Sequence, residues 1–388
     1  MIAAEDFKLG LYVHWPFCQK RCPYCDFNVH EVGADDPTDH QRWADALVRE
    51  LQHFAPLAQG RKLTSVFFGG GTPSLMRPET VHAVIEAAQR EIGFRNDIEI
   101  TLEANPTSTD ADRFAGYRDA GVNRLSLGVQ SLRDQALLAL GRQHSVEEAL
   151  MALEIARSAF DNISFDLMYA RPRQSFEDWQ DELAQALALQ PHHISLYQLT
   201  IEPNTLFEQL TRKGVIQPKS EDDTADFYLA TRQILSDAGY HGYEVSNHAP
   251  EPHFESQHNR LYWAYQDYIG IGPGAHGRLT KGGAKWATRQ HRAPSVWLDH
   301  VESDAGHATV TNDALTAEDQ LAEALPFGLR LSEGMPLRHY EVLANKPLNA
   351  GLLQKLESEG LLTTNNNILK VTDEGRPVID ALARYLQS

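Results

Sequence analysis

The sequence is poor in cysteine, poor in positive charge and without a long apolar run. Three cysteines in 388 residues cannot build a disulfide framework, so a disulfide-stapled extracellular scaffold is excluded and a reducing compartment is expected. Lys and Arg number 35 against 53 Asp and Glu, a formal net charge of −18. Duplex nucleic acid and anionic membrane surfaces both reward basic surface, so neither is an expected partner. No stretch approaches the roughly 20 apolar residues of a membrane helix. The opening Met1-Ile2-Ala3-Ala4-Glu5-Asp6 has neither the basic nor the apolar segment of a secretory signal. The expectation is a soluble, cytoplasmic protein with no integral membrane segment, long enough for two or three domains.

The cysteines are all in one place. Cys18-Gln19-Lys20-Arg21-Cys22-Pro23-Tyr24-Cys25 is a C-x3-C-x2-C run, and no cysteine lies elsewhere. Buried structural cysteines scatter over core positions, so this crowding points to a bound group. Two groups suit it. One is a structural zinc, with His14 or His30 as the fourth ligand. The other is an iron–sulfur cluster, in which three thiolates on a cubane leave one iron open to an exogenous ligand. The run, with its aromatic residue before the third cysteine, resembles the signature of the radical S-adenosylmethionine (SAM) superfamily. That resemblance implies a [4Fe–4S] cluster on Cys18, Cys22 and Cys25, with SAM chelated at the open iron.

Along the first two-thirds, strand-like runs alternate with helical ones. Leu11–His14, Ser65–Phe68, Glu99–Leu102, Arg124–Val129, Ile163–Met168 and His193–Leu199 are the candidate strands. Trp43, Leu47, Leu51 and Phe54 recur at helical spacing between the first two, and further helices are expected over Pro78–Ile92, Asp110–Ala120, Ser145–Ala159 and Phe176–Leu189. Such alternation means parallel strands with right-handed crossovers. Six units resemble the partial (β/α)6 barrel of radical SAM enzymes, an α/β fold. Chemistry in such barrels collects at the carboxyl ends of the strands. The cysteine loop, Gly69-Gly70-Gly71-Thr72, Glu103-Ala104-Asn105-Pro106, Gln130 and Asp166 all fall there. Turn residues are common at strand ends, which accounts for glycine, proline and asparagine but not for three cysteines. Residues 290–315 read as a linker, dividing a barrel with its extension over 1–300 from a smaller α+β unit over 310–388. In the latter, helix Asn349–Glu359, a hairpin across Asn365-Asn366-Asn367 and a last helix from near Thr372 resemble a winged helix. Without a basic excess there, packing or partner docking is the expected role rather than DNA binding.

The resemblance narrows to one family. Leu11-Tyr12-Val13-His14, Pro16-Phe17-Cys18, the glycine run, Leu102-Glu103-Ala104-Asn105-Pro106, Ser126-Leu127-Gly128-Val129-Gln130-Ser131 and Gln198-Leu199-Thr200-Ile201-Glu202-Pro203 are similar to oxygen-independent coproporphyrinogen III oxidase and its relatives, over residues 10–280 and more weakly beyond. It implies SAM contacts at Tyr12, Tyr24, Gly70, Gly71, Thr72, Glu103, Gln130, Arg142 and Asp166. The glycine run permits close backbone approach to a ligand, and without a following Gly-Lys-Ser/Thr it is not a phosphate loop. The oxidases carry one more cysteine two positions after the third, and here Phe27 stands there. The haem-chaperone (HemW) branch carries His-Asn-x-x-Tyr-Trp, matched by His258-Asn259-Arg260-Leu261-Tyr262-Trp263. Imidazole is a standard haem ligand, and Tyr262, Trp263, Tyr265 and Tyr268 offer flat area for a macrocycle. His248 and His253 are competing ligands, and composition alone favours a packed aromatic segment with a capping or solvent-facing His. The resemblance therefore implies a haem chaperone holding haem through His258, Asn259, Tyr262 and Trp263. It would pass haem to acceptor proteins and draw on an electron donor. The alternative is a radical SAM enzyme acting on a tetrapyrrole, such as an oxygen-independent coproporphyrinogen III dehydrogenase. One departure stands out: Ala170-Arg171-Pro172-Arg173-Gln174 replaces the family's Gly-Leu-Pro-Gly-Gln and places arginines near the rim, where they could meet propionates.

Overall fold

The structure, a computed structural model, describes residues 7–33 and 36–387, so the opening Met1–Asp6 lies outside the described residues. All six candidate strands form: β1 (Leu9–Trp15), β2 (Leu63–Gly70), β3 (Phe94–Ala104), β4 (Arg124–Gln130), β5 (Ile163–Tyr169) and β6 (His193–Gln198). They lie side by side in chain order and every neighbouring pair is parallel. Helices cover the sheet, so the strands are buried on both faces and read as nearly continuous apolar runs; Leu9, Leu11, Val13 and Trp15 of β1 are fully enclosed.

The crossover helices follow their sequence signals. His40–Phe54 buries Trp43, Leu47, Leu51 and Phe54, as their spacing requires. Ser145 and Ser175 start the helices Val146–Ala159 and Phe176–Ala188 with reciprocal caps to Glu148 and Asp178. The single helix expected over Asp110–Ala120 is instead two, Ser108–Ala111 and Phe114–Ala120. Between and within them, Arg113 and Tyr117 both donate to the Ser74 carbonyl, at 2.7 and 2.6 Å.

The sheet extends beyond six strands. Asp267–Ile271 pairs in parallel with the free side of β1, Leu11 opposite Ile269. His276–Lys281, Ala284–Gln290 and Thr309–Ala314 then add antiparallel on that side, and Asn247–Ala249 and His241–Gly242 add antiparallel beyond β6, giving 12 strands in an open order that leaves the barrel unclosed. Residues 290–315 are therefore not a loose linker. They carry the helix Pro294–Glu302 and the edge strand Thr309–Ala314. Trp297 stacks on Trp43 at 5.2 Å and gives its indole N–H to Glu50 at 3.0 Å. Glu50, wholly buried, also accepts the Gly272 and Ala308 amides at 2.8 and 3.1 Å, so one carboxylate fastens the extension to the barrel. Burial raises the Glu50 carboxyl to about 7.

The C-terminal part has its own apolar core, including Leu325, Leu329, Leu356, Leu362, Leu369 and Leu386. Helix Ala350–Ser358 and the hairpin Leu362–Asn365 with Ile368–Val371 match the winged-helix-like expectation. The last helix begins at Ile379, later than Thr372, because Thr372 and Gly375 first close a turn and Arg376–Val378 forms a 3-10 segment.

Candidate functional site

The three thiols lie along one wall of a cavity of about 360 Å³ at the carboxyl rim of β1–β6. The cysteine loop is held by its own backbone. The Cys25 amide donates to the Cys22 carbonyl at 3.1 Å, and Arg21 donates to the Cys25 carbonyl at 2.9 and 3.2 Å. All three thiols are free of disulfides. Burial pushes the Cys18 thiol up to about 12 and raises Cys25 as well, so both favour the protonated thiol. Arg142 supplies the opposing cation and donates to Cys22 Sγ at 3.6 Å.

Arg142 is the hub that ties the loop to the barrel. It donates to Asn105 Oδ1 at 2.6 Å and to the Gly128 carbonyl at 2.9 Å, and Asn105 passes a donor to Thr72 Oγ1 at 3.2 Å. The ends of β2, β3 and β4 are thereby linked to the cysteine loop. Asn105 lies inside a motif the sequence already singled out, yet nothing in that motif marked it as the bridge.

The cavity also takes Tyr24, Gly70, Gly71, Thr72, Glu103, Gln130, Arg142 and Asp166. A side chain on Gly71 would come within 2.4 Å of the Phe17 carbonyl, and one on Gly70, with φ +114°, within 2.8 Å of the Trp15 carbonyl. These glycines are required where the end of β2 meets the backbone of Trp15 and Phe17, before any ligand is considered. Gln130 ends β4 at φ +68°, a left-handed backbone that a non-glycine residue holds where the surroundings impose it. Glu103 and Asp166 form the floor. Burial, then the Asp166 charge, pushes Glu103 up to about 8. Burial also raises Asp166, to about 6, although the hydroxyls of Ser195 and Ser126 favour its ionised form. A cationic ligand group would relieve both carboxylates.

His14 does not complete a zinc site. Its Nδ1 pairs with Tyr12 Oη at 2.9 Å and its Nε2 with the Asn28 carbonyl at 3.0 Å. Among the described residues no three His, Cys, Asp or Glu side chains are grouped to hold a single metal ion. Three thiols on the wall of a cavity, backed by a buried arginine, suit a larger cluster with an open side.

Tyr12 stands apart from the other SAM candidates. It lines a second cavity of about 390 Å³ with His14, Asn28, Tyr262, Tyr268, His276, Arg289 and Arg292, and this cavity shares Phe27, Gly70 and Glu103 with the first. The His-Asn-x-x-Tyr-Trp motif forms the short helix Gln257–Trp263, capped by Ser256 Oγ accepting the Asn259 amide at 3.3 Å. His258 points into the barrel. Its Nδ1 pairs with Ser65 Oγ and its Nε2 with Tyr262 Oη, both at 2.8 Å, and its ring stacks on Phe67. Burial lowers it to about 3, so it is a neutral, fully engaged imidazole. Trp263 leaves the barrel, packing edge-on against Phe327 with Arg330 over its face. The four haem candidates therefore form no common platform, and Tyr262 alone of them reaches the second cavity. His248 is buried in a separate pocket beside Arg232 and Arg376.

The 170–174 loop does not offer its first arginine to a ligand. Arg171 is buried against Glu182 at 2.5 Å and donates to Ser131 Oγ at 2.5 Å. Ala170 and Arg173, in place of the two glycines, hold φ of +53° and +63°, so the loop keeps the backbone that glycine would favour.

The sequence matches the radical SAM superfamily over residues 12–186 and the HemN C-terminal domain over residues 315–378. Among curated proteins it is similar to the heme chaperone HemW of Escherichia coli strain K12, 37% identical over 382 residues, covering 96% of this chain and 97% of that one. It is also similar to radical S-adenosyl methionine domain-containing protein 1, mitochondrial, of Mus musculus, 40% identical over 392 residues, covering 97% of this chain and 86% of that protein. Among solved structures, coproporphyrinogen III oxidase (HemN) from Escherichia coli superposes with a TM-score of 0.78 at 24% identity, covering 98% of this chain and 90% of that chain, a likeness of fold. No described helix is long and apolar enough to cross a membrane.

Proposed function

Because the chain belongs to the radical SAM superfamily and, within it, to the family of the HemW haem chaperones, we propose that it is a haem carrier built on a radical SAM barrel. In this reading Cys18, Cys22 and Cys25 hold a [4Fe–4S] cluster. The Gly70–Thr72 backbone, Glu103, Gln130, Arg142 and Asp166 hold SAM beside it. When bound, the cluster supplies an open iron for the amino and carboxylate groups of SAM and an electron delivered by an outside donor. The chain's own residues fix the loop through Arg142 and Asn105, and Glu103 and Asp166 face the cationic part of the nucleotide. Haem is the cargo, handed on to acceptor proteins. Three unpaired thiols require a reducing compartment, for which the cytoplasm is the proposed location.

The observation that carries this reading is the pair of adjoining cavities. One is lined by thiols and carboxylates. The other is lined by aromatic rings, imidazole and arginines, with exposed Phe27 where the oxidases carry a cysteine. The test uses the full chain reconstituted without oxygen. Iron and sulfide are quantified, haem is titrated in, and transfer to an apo-haemoprotein is followed by absorbance. The expected result is a cluster that requires the three cysteines, together with haem that moves to the acceptor. Conversion of coproporphyrinogen III by the same sample with SAM and reductant, without haem transfer, would turn the reading to an enzyme.

A further inference from the structure

The second cavity contains charge that the protein leaves unspent. Among the described residues neither Arg289 nor Arg292 meets a carboxylate, in a chain whose net charge is −18. Among the described residues the Arg292 side chain makes one bond, to Asn28 Oδ1 at 3.4 Å, and the Arg289 side chain makes none. Unpaired guanidinium groups converging on a concave aromatic site are the usual apparatus for an anionic ligand.

His276 opens on the same cavity. Its ring is exposed and has no hydrogen-bond partner among the described residues. Partial burial, then Arg278, Arg289 and Arg292, lower its pKa, so it keeps a neutral imidazole with a free lone pair. Its place is fixed by glycines. A side chain on Gly270 would strike the His276 carbonyl at 1.9 Å, one on Gly272 the His14 carbonyl at 2.3 Å, and one on Gly274 Asn28 Nδ2 at 2.6 Å. The Ile269–Gly277 run is thus a close-packed wedge that carries His276 to the rim. The contrast with His258 is direct: that imidazole already has partners on both nitrogens, and binding iron would break one of them.

We propose that the second cavity is the cargo site, taking an iron porphyrin with free carboxylates, with His276 on the iron and Arg289 and Arg292 on the propionates. The rings of Tyr12, Tyr262 and Tyr268, and Phe27 at the mouth, supply the faces against which a flat macrocycle packs. His258 is then a positioning residue, holding Tyr262 from below. The inference rests on the haem-carrier reading and assigns its site.

The experiment titrates haem and haem dimethyl ester into the full chain and three variants, His276→Ala, the double variant Arg289→Ala/Arg292→Ala, and His258→Gln, with cluster absorption as the check on folding. His276→Ala is expected to shift the haem absorption bands and weaken binding, and added imidazole to restore the bands. The arginine variant should weaken haem about tenfold or more while leaving the ester unchanged. His258→Gln should leave the bands where the unaltered chain has them. If haem binds the unaltered chain, yet His276→Ala keeps its spectrum or the arginine variant still prefers haem to its ester, the site is wrong and the carrier reading stands. If the unaltered chain assembles its cluster and binds no haem, the carrier reading fails and the site with it.

Discussion

The two cavities at the rim differ in how much of their chemistry is already spent. In the cysteine cavity the polar groups are joined to one another, Arg142 to Cys22, Asn105 and Gly128, and Asn105 to Thr72. In the neighbouring cavity, among the described residues, the side chains of Arg289 and His276 have no such bonds and Arg292 has one long one. A resident cofactor calls for the first design, because a pre-formed frame loses little entropy on binding and holds what it binds. A cargo calls for the second, in which exposed, loosely held groups let the ligand leave. Phe27, Gly70 and Glu103 belong to both, so the shared wall is thin.

The sharpest way to break the comparison is to remove one side of it. Cys22→Ser should abolish the cluster, read as lost iron, sulfide and colour after anaerobic reconstitution, while haem binding next door persists. A variant that keeps its cluster, or that loses haem in step with it, would show that the cavities are not separate devices. The next effect is on stability. Glu50 alone accepts from Gly272, Ala308 and Trp297, and Gly272 belongs to the wedge under His276. Glu50→Ala leaves buried donors unpaired and should cost on the order of 3 kcal/mol in denaturant unfolding. Haem affinity should fall further than SAM affinity, since the extension builds only the second cavity.

The shared wall gives a pH test. Glu103 is held at about 8, so at neutral pH it is largely protonated. The cationic sulfonium of SAM favours the carboxylate, so Glu103 should release a proton on binding, and affinity should rise with pH up to about 8 and level off above it. Glu103→Gln should flatten that rise and weaken SAM about tenfold. The same raised pKa means that the ligand-free fold loses stability as pH climbs from the ordinary carboxylate range through about 8, and the Gln variant should lose less. Calorimetry in two buffers of different ionisation enthalpy checks the proton release, and a pH-independent affinity would remove Glu103 from the cationic end of the ligand.

Much of this rim is legible in the sequence for a physical reason. Strands buried on both faces must be apolar almost throughout, so β1 to β6 stand out, and three cysteines in eight residues have no use in a core. The seventh parallel strand, Asp267–Ile271, hides because it begins on a buried charge. Asp267 is enclosed at no exposure only because Arg61 and Lys285 meet it at 2.7 and 2.9 Å, partners from distant segments. The linker reading of 290–315 fails on Glu50 in the same way. The haem motif was legible in composition but not in direction. On a helix, residues four apart share a face, which puts His258 with Tyr262 and turns Asn259 and Trp263 elsewhere. His276 sits in the glycine-rich Ile269–Gly277 run, which resembles the family, but Arg289 and Arg292 carry no local signal, since strand pairing alone brings Arg289 opposite His276.

Arginines at one rim thus take opposite roles, and the smallest prediction tests the one that looks most like added charge. Arg171 is consumed by Glu182, and Arg173 is exposed at φ +63°. A left-handed backbone costs a non-glycine residue roughly 1 kcal/mol. Arg173→Gly removes that strain and gives up only a solvated side chain, so it should stabilise the fold by up to about 1 kcal/mol. Ala170 has the same kind of backbone, φ +53°, but is buried. Ala170→Gly loses a buried methyl worth about 0.8 kcal/mol, which offsets the relief and leaves it near neutral. Both should bind haem and SAM as before. Equal stabilisation of the two by denaturant unfolding would show that burial plays no part in the difference, and a loss of haem affinity in Arg173→Gly would return this loop to the cargo site.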